Sequence, residues 1–196
     1  MAETTAPVPP LKLRADAVRN RERIVDVARK LMAERGADAD MADIAREAGV
    51  GIGTLYRRFP DKQALIEELV REKFISVRVL MEEARGREDL SPRERLDAYI
   101  RSACALQGAD RSLYEAMNVD PAAHAQVARE TPGLIETLDG LVGDAIADGS
   151  ARSDLTWEDI VMCTCALGHV IQIEDDLPGT VERLLEIQLA GLDPRD

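Results

Sequence analysis

The sequence predicts an all-α protein, and three observations predict it. Ala, Leu, Glu and Arg, all strong helix formers, dominate the periodic stretches, while alternating runs rich in Val, Ile and Thr are missing. Apolar residues recur at i, i+3, i+4 and i+7 along most of the chain, the spacing of a helix with one buried face. Capping residues and glycines punctuate that pattern at intervals fitting separate helices. With 196 residues the chain can bury a core, as one compact unit or two small ones.

The first 13 residues are rich in Pro and Ala and read as part of a flexible arm over 1–15. Lys12 and Arg14 lie at its end, where a basic segment can reach a minor groove; a solubilising tail is the bland alternative. From Asp16 or Asn20, either of which can cap it, a helix runs to Arg35. Its stripe is Ile24, Val27, Ala28, Leu31 and Met32, and Gly36 ends it. Asp40 caps the next helix.

Residues 41–62, MADIAREAGVGIGTLYRRFPDK, read as a helix-turn-helix. Ile44, Ala45 and Ala48 form the inner face of the first helix. Gly49 takes the left-handed turn and Val50 plugs it. A second short helix turns Leu55 and Phe59 inward, leaving Ile52, Thr54, Tyr56, Arg57 and Arg58 for an outer face. Pro60 and Asp61 stop it, and Asp61 caps the helix that Lys62 opens. This geometry presents a short helix to a major groove, which makes 16–62 a DNA-binding head.

The body, 63–196, reads as a helical regulatory and dimerisation domain. Its first helix, from Lys62 to about Arg85, carries Leu65, Leu69, Val70, Phe74, Val77, Leu80 and Met81 and links head to body. Ser91 caps the next, with Pro92 at its first position and Glu94 completing a capping box; Leu96, Tyr99, Ile100, Ala103 and Leu106 are its stripe. Short helices around Ser112–Met117 and Pro121–Glu130 come after it. Pro132-Gly133 opens another, with Leu134, Leu138, Leu141, Val142, Ala145 and Ile146, ending at Gly149. Thr156 caps a helix from Trp157 to about Ile173, and Thr180 caps the last, which carries Val181, Leu184, Leu185, Gln188, Leu189 and Leu192.

The net charge of −12 is unevenly divided. Residues 1–62 hold 12 Lys/Arg against 10 Asp/Glu, and residues 63–196 hold 13 against 27. Only the N-terminal end can therefore face phosphates, and association should be salt-sensitive.

The ordered set Ile24, Ala28, Leu31, Gly36, then Asp43-Ile44-Ala45, Ala48-Gly49-Val50, Thr54-Leu55-Tyr56, Phe59 and Lys62 resembles the DNA-binding domain of the tetracycline-repressor-like (TetR) family of bacterial transcriptional regulators. The resemblance covers about Arg19 to Leu69. It implies that Ile52, Gly53, Thr54, Tyr56, Arg57, Arg58 and Lys62 contact DNA, with Gly51 where the family often has a Ser or Thr on phosphate. Arg57 or Arg58 suits guanine O6 and N7, Ile52 a thymine methyl, and Thr54, Tyr56 and Lys62 phosphate oxygens. Arg58 replaces a commoner His or Tyr, and Asp40 a commoner Thr.

The resemblance also implies dimerisation through the last long helices and a small-molecule effector held in the body. In the helix from Trp157, one stripe is Trp157, Ile160, Val161, Thr164, Gly168 and Ile171, and another is Met162, Ala166, His169, Val170 and Ile173. A helix apolar on two sides needs cover on two sides. We expect Trp157, Val161, Thr164, Gly168, Ile171, Leu184, Leu185, Gln188 and Leu189 to meet a second copy of the chain in a four-helix interface, with Gly168 allowing close approach. Complete burial within one chain is the alternative. Candidate effector-pocket residues are Tyr99, Cys104, Tyr114, Met117, His124, Trp157, Met162 and His169, each also explicable as core. The acidic excess favours a cationic ligand if some of it faces inward.

Other classes fit less well. Two histidines 45 positions apart, with no glycine-rich phosphate loop, form no catalytic set, so no enzyme and no cofactor are expected. Cys163 and Cys165 are two apart on a helix and point to opposite sides, so no metal is expected; the three cysteines read as small buried residues, with redox sensing as the alternative. No apolar run is long enough for a membrane span and no signal peptide is evident, which points to the cytoplasm. The expected function is a dimeric repressor that leaves a palindromic operator in double-stranded DNA on binding an effector. The rival is a dimeric structural or interaction protein with a degenerate head.

Overall fold

A computed structural model of the chain describes residues 11–35, 38–109, 121–173 and 179–194. Eight helices occur among them: α1 (Leu11–Arg35), α2 (Met41–Glu47), α3 (Ile52–Arg58), α4 (Lys62–Arg85), α5 (Pro92–Ala109), α6 (Pro121–Ala147), α7 (Trp157–Ile173) and α8 (Thr180–Ala190). The described residues contain no strand.

Side-chain hydrogen bonds fix the starts of α2, α4, α5 and α7. The Asp40 carboxylate accepts from the Asp43 amide at 2.7 Å and the Asp61 carboxylate from the Ala64 amide at 2.7 Å. Ser91 and Glu94 form a reciprocal capping box, the Ser91 amide donating to Glu94 Oε2 at 2.8 Å and the Glu94 amide to Ser91 Oγ at 3.3 Å. Thr156 and Asp159 do the same at 3.0 and 3.3 Å.

Two apolar cores result. The head core joins Ile24, Val25, Ala28 and Leu31 of α1, Ile44 and Ala45 of α2, and Leu55 of α3 to Leu65, Ile66, Leu69 and Val70 of α4. The body core joins Met81 of α4 to Leu96 and Ile100 of α5, Leu138 and Leu141 of α6, Ile160 and Leu167 of α7 and Leu189 of α8. Phe74 packs against both. Thus α4 is a shared strut: its first half belongs to the head and its second half lies along α5 and α6. Ion pairs reinforce the first half, Arg29 to Glu72 at 2.9 Å and Arg21 to Glu68 and Glu72. Burial pushes the Glu68 carboxyl up, but hydrogen bonds and charge from Arg71 and Arg21 outweigh it and hold the group below its ordinary value.

Four sequence expectations are corrected. Residues 11–15, assigned to the arm, continue α1, so Lys12 and Arg14 are helical. Pro132 opens no helix; α6 runs through it. A mid-helix proline removes one backbone bond and costs about 3 kcal/mol, but Leu134, Leu138, Leu141, Val142 and Ala145 beyond it are all buried in the body core, which outweighs that loss. Thr180 is the first helical residue of α8 rather than its cap; Gly179 caps it, at φ +85°. Cys163 and Cys165 are exposed, Cys165 on the wall of a cavity in the body; Cys104 is buried as expected. Gly36 and Ser112–Met117 lie outside the described residues.

Candidate DNA-reading face and body cavity

The turn between α2 and α3 depends on one backbone conformation. Gly49 has φ +64°, and the Ala48 carbonyl beside it accepts from the Arg23 guanidinium of α1. A Cβ at Gly49 would also come within 3.0 Å of Arg23 Nη2. Gly49→Ala is therefore expected to lower stability by about 1–2 kcal/mol from the left-handed backbone alone, read as a fall in urea midpoint.

That turn sets the roll of α3. Leu55 is fully buried and Phe59 nearly so, whereas Ile52 and Tyr56 are 45% and 47% exposed. Ile52 and Tyr56 both stand on a seven-residue helix beside Arg57 and Arg58, which are also exposed. Gly51 and Gly53 are exposed too, and Gly53 has open space where a Cβ would stand, so a duplex backbone can come close there. Arg57 folds along its own helix, donating from Nε to the Gly53 carbonyl at 3.2 Å and from Nη2 to Thr54 Oγ1 at 3.0 Å. Thr54 and Lys62 are half-buried. Thus Ile52, Gly53, Tyr56, Arg57 and Arg58 share one open surface, with Thr54 and Lys62 at its edges. Arg14 sits in the first turns of α1, and its side chain lies outside the described residues.

The body holds a cavity of about 320 Å³ between α4, α5, α6 and α7. Of the pocket candidates, Tyr99 and Trp157 line it. Cys104 is buried beside it in the core but not on its wall, and burial pushes its thiol up to about 11. Met162 is 70% exposed and points out of the body, so it is no pocket residue. Tyr114 and Met117 lie outside the described residues, as do the side chains of His124 and His169. Sequence reasoning missed Lys73, Phe74, Gln107, Thr131 and Leu134 on the wall. Lys73 had a signal: it stands in the i+4 ladder Leu65, Leu69, Lys73, Val77, Met81, where every other rung is apolar.

The two stripes of α7 are also reassigned. Trp157, Val161 and Thr164 line the cavity, and a Cβ on Gly168 would fall 2.2 Å from Gln107 Cβ of α5. That stripe is thus taken up inside the chain, and the close approach that Gly168 permits is to α5, not to a partner. Leu189 is buried and Leu185 packs on the body core. The outward surface of α7 and α8 is instead Met162, Leu184 and Ile187, 70%, 36% and 59% exposed, with Gln188 beside them. The Gln188 Nε2 is buried without a hydrogen-bond partner. The Ile171 side chain lies outside the described residues.

Among the described residues no helix is long and apolar enough to cross a membrane, and no group of three or more His, Cys, Asp or Glu is placed to hold a metal ion.

A helix-turn-helix with an apolar and basic outer surface, carried on a separate helical body, defines a DNA-binding transcriptional regulator. The comparisons agree. Residues 24–69 match the family model of bacterial regulatory proteins of the tetR family, and residues 91–194 match that of the C-terminal domain of SbtR-like transcriptional regulators. The chain belongs to the TetR family of transcriptional regulators. A TetR transcriptional regulator from Streptomyces coelicolor is 30% identical with a TM-score of 0.63, over 90% of this chain and 99% of that one. The transcriptional regulator FadR from Bacillus subtilis, solved in complex with stearoyl-CoA, shares the fold at 21% identity and a TM-score of 0.68, over 88% of this chain and 99% of that one. An HTH-type transcriptional regulator of Staphylococcus aureus is 50% identical over 54 residues, which are 27% of this chain and 29% of that protein.

Proposed function

We propose that the protein is a cytoplasmic, dimeric repressor that holds a palindromic operator and releases it when a small molecule enters the body cavity. The observation that carries this reading is the reading face itself: Ile52 and Tyr56 exposed beside Arg57 and Arg58, on a helix anchored by Leu55 and Phe59. One seven-residue helix buries too little to find a site in a genome, and a twofold pair reads two half-sites at a fixed spacing. The exposed Met162, Leu184 and Ile187 favour α7 and α8 as the dimer surface.

Release follows from how α4 is shared. Lys73, Val77 and Met81 line the cavity, while Glu68 and Glu72, on the same helix, hold Arg21 and Arg29 of the head. A ligand that repositions α4 moves the ion pairs that orient α1, and with them the separation of two recognition helices. It shifts the equilibrium only by its difference in affinity between the DNA-bound and released arrangements.

Sedimentation with operator titration tests the dimer. Met162→Glu with Ile187→Glu is expected to give a folded monomer whose operator affinity falls with dimerisation. A variant that stays dimeric would move the interface elsewhere.

A further inference from the structure

The reading face continues into a cleft. About 190 Å³ of space lies between α1 and α3, lined by Ala17, Asn20 and Arg21 of α1 and by Thr54, Arg57 and Arg58 of α3. The described lining carries three guanidinium groups and no carboxylate. Thr54, Arg57 and Arg58 belong to the cleft and to the open surface of α3 alike, so whatever lies against α3 reaches the cleft.

Helix stability does not account for Asn20. Asparagine is a poor helix former, because its side chain competes with the helical backbone for hydrogen bonds. This one caps nothing either: α1 begins at Leu11, so the cap expected at Asp16 or Asn20 falls inside the helix. Its side chain is half-buried on the cleft wall, where an amide offers two N–H donors. The three arginines differ in what holds them. Arg21 is neutralised by Glu68 and Glu72 of α4. Arg57 lies along α3, on the Gly53 carbonyl and Thr54 Oγ1. Arg58 is exposed, on the wall opposite Asn20.

We propose that the cleft takes one backbone phosphate of the operator in each half-site, with Asn20 and Arg58 as its donors. Size and charge select that occupant. Sites for small molecules begin at about 300 Å³, whereas 190 Å³ is the room of roughly six waters and suits a single phosphodiester group. A cleft lined by one sign of charge concentrates the other. A helix beside one that lies in a groove about 12 Å wide stands over the strand bordering that groove, which places a phosphate rather than a base edge against α1. Arg58 therefore fixes the register of α3 on the duplex, and Arg57 is left as the candidate for guanine. The inference rests on the operator reading above and adds a residue of α1 to the DNA contacts.

The test uses the full-length chain and its selected operator, with one phosphate at a time replaced by an uncharged methylphosphonate and affinity read by fluorescence anisotropy. The wild-type chain is expected to lose about tenfold at one symmetry-related position in each half-site, the value of one charge-assisted hydrogen bond. Asn20→Ala and Arg58→Ala are each expected to bind the unmodified operator about a hundredfold more weakly, about tenfold per half-site, and to lose less than about twofold more at that position. Asn20→Ala raises helix propensity, so circular dichroism is expected to show undiminished helix beside the weakened binding. Both variants should select the same motif as the wild type, while only Arg58→Ala lowers the salt slope, by about one per half-site. Unchanged affinity in Asn20→Ala, a base preference altered in Arg58→Ala, or methylphosphonate losses equal in variant and wild type overturns the inference and leaves the operator reading standing. A wild-type chain that selects no palindrome overturns the operator reading itself.

Discussion

Replacing Arg57 and Lys62 together by Ala weakens operator binding by at least about a thousandfold while leaving the chain folded, with its helical content unchanged. Each side chain is worth about 1–3 kcal/mol as a base or phosphate contact, and twofold symmetry removes each of them twice. Arg57 is exposed and bonded only along its own helix, to Gly53 and Thr54, so those bonds exchange readily for contacts to DNA. Lys62 is the first residue of α4, at a helix N-terminus that already attracts anions. The salt dependence must change as well: losing phosphate contacts reduces the slope of log affinity against log salt by about one per contact. Titration of a fluorescent operator at several salt concentrations measures both. Unchanged affinity would mean that α3 is not the reading helix.

Gly168→Ala is expected to destabilise the protein although alanine is the better helix former by about 1 kcal/mol. The added Cβ would stand 2.2 Å from Gln107 Cβ and 3.4 Å from its Cα. Those atoms are fixed to the backbone of α5, so no rotamer change relieves the clash and α5 and α7 must separate. Overpacking of this kind costs about 1–3 kcal/mol beyond the lost propensity gain, a fall of about 2–4 °C in melting temperature per kcal/mol at this chain length. The separation opens the cavity between the same two helices, so Trp157 fluorescence is expected to change with it. A variant more stable than the parent would show that the two helices are not in contact at this point.

The head was legible because its determinants are local. Asp40, Gly49 and Asp61 each act within a few residues of their own position, and each does in the fold what its chemistry dictates. The capping box at Ser91 and the cap at Thr156 were legible for the same reason. The body was less so, because its outcome depends on which surfaces meet. Both stripes of α7 are apolar, and periodicity cannot say which one α5 covers; the choice falls to the stripe with Gly168, where the helices can approach closely. Pro132 read as a start because a proline breaks a helix locally, whereas burial of Leu134 and Leu138 carries α6 through it. Lys73 was hidden in a run of charges on α4 until its rung between Leu69 and Val77 proved to face the cavity.

Selection of bound sequences from random duplex DNA, repeated at two salt concentrations, tests the central claim most directly. The account predicts a palindromic motif whose two half-sites lie about one helical turn or a multiple apart, with affinity falling steeply as salt rises. Binding without a motif, or a single half-site bound with the same affinity as the palindrome, would contradict it.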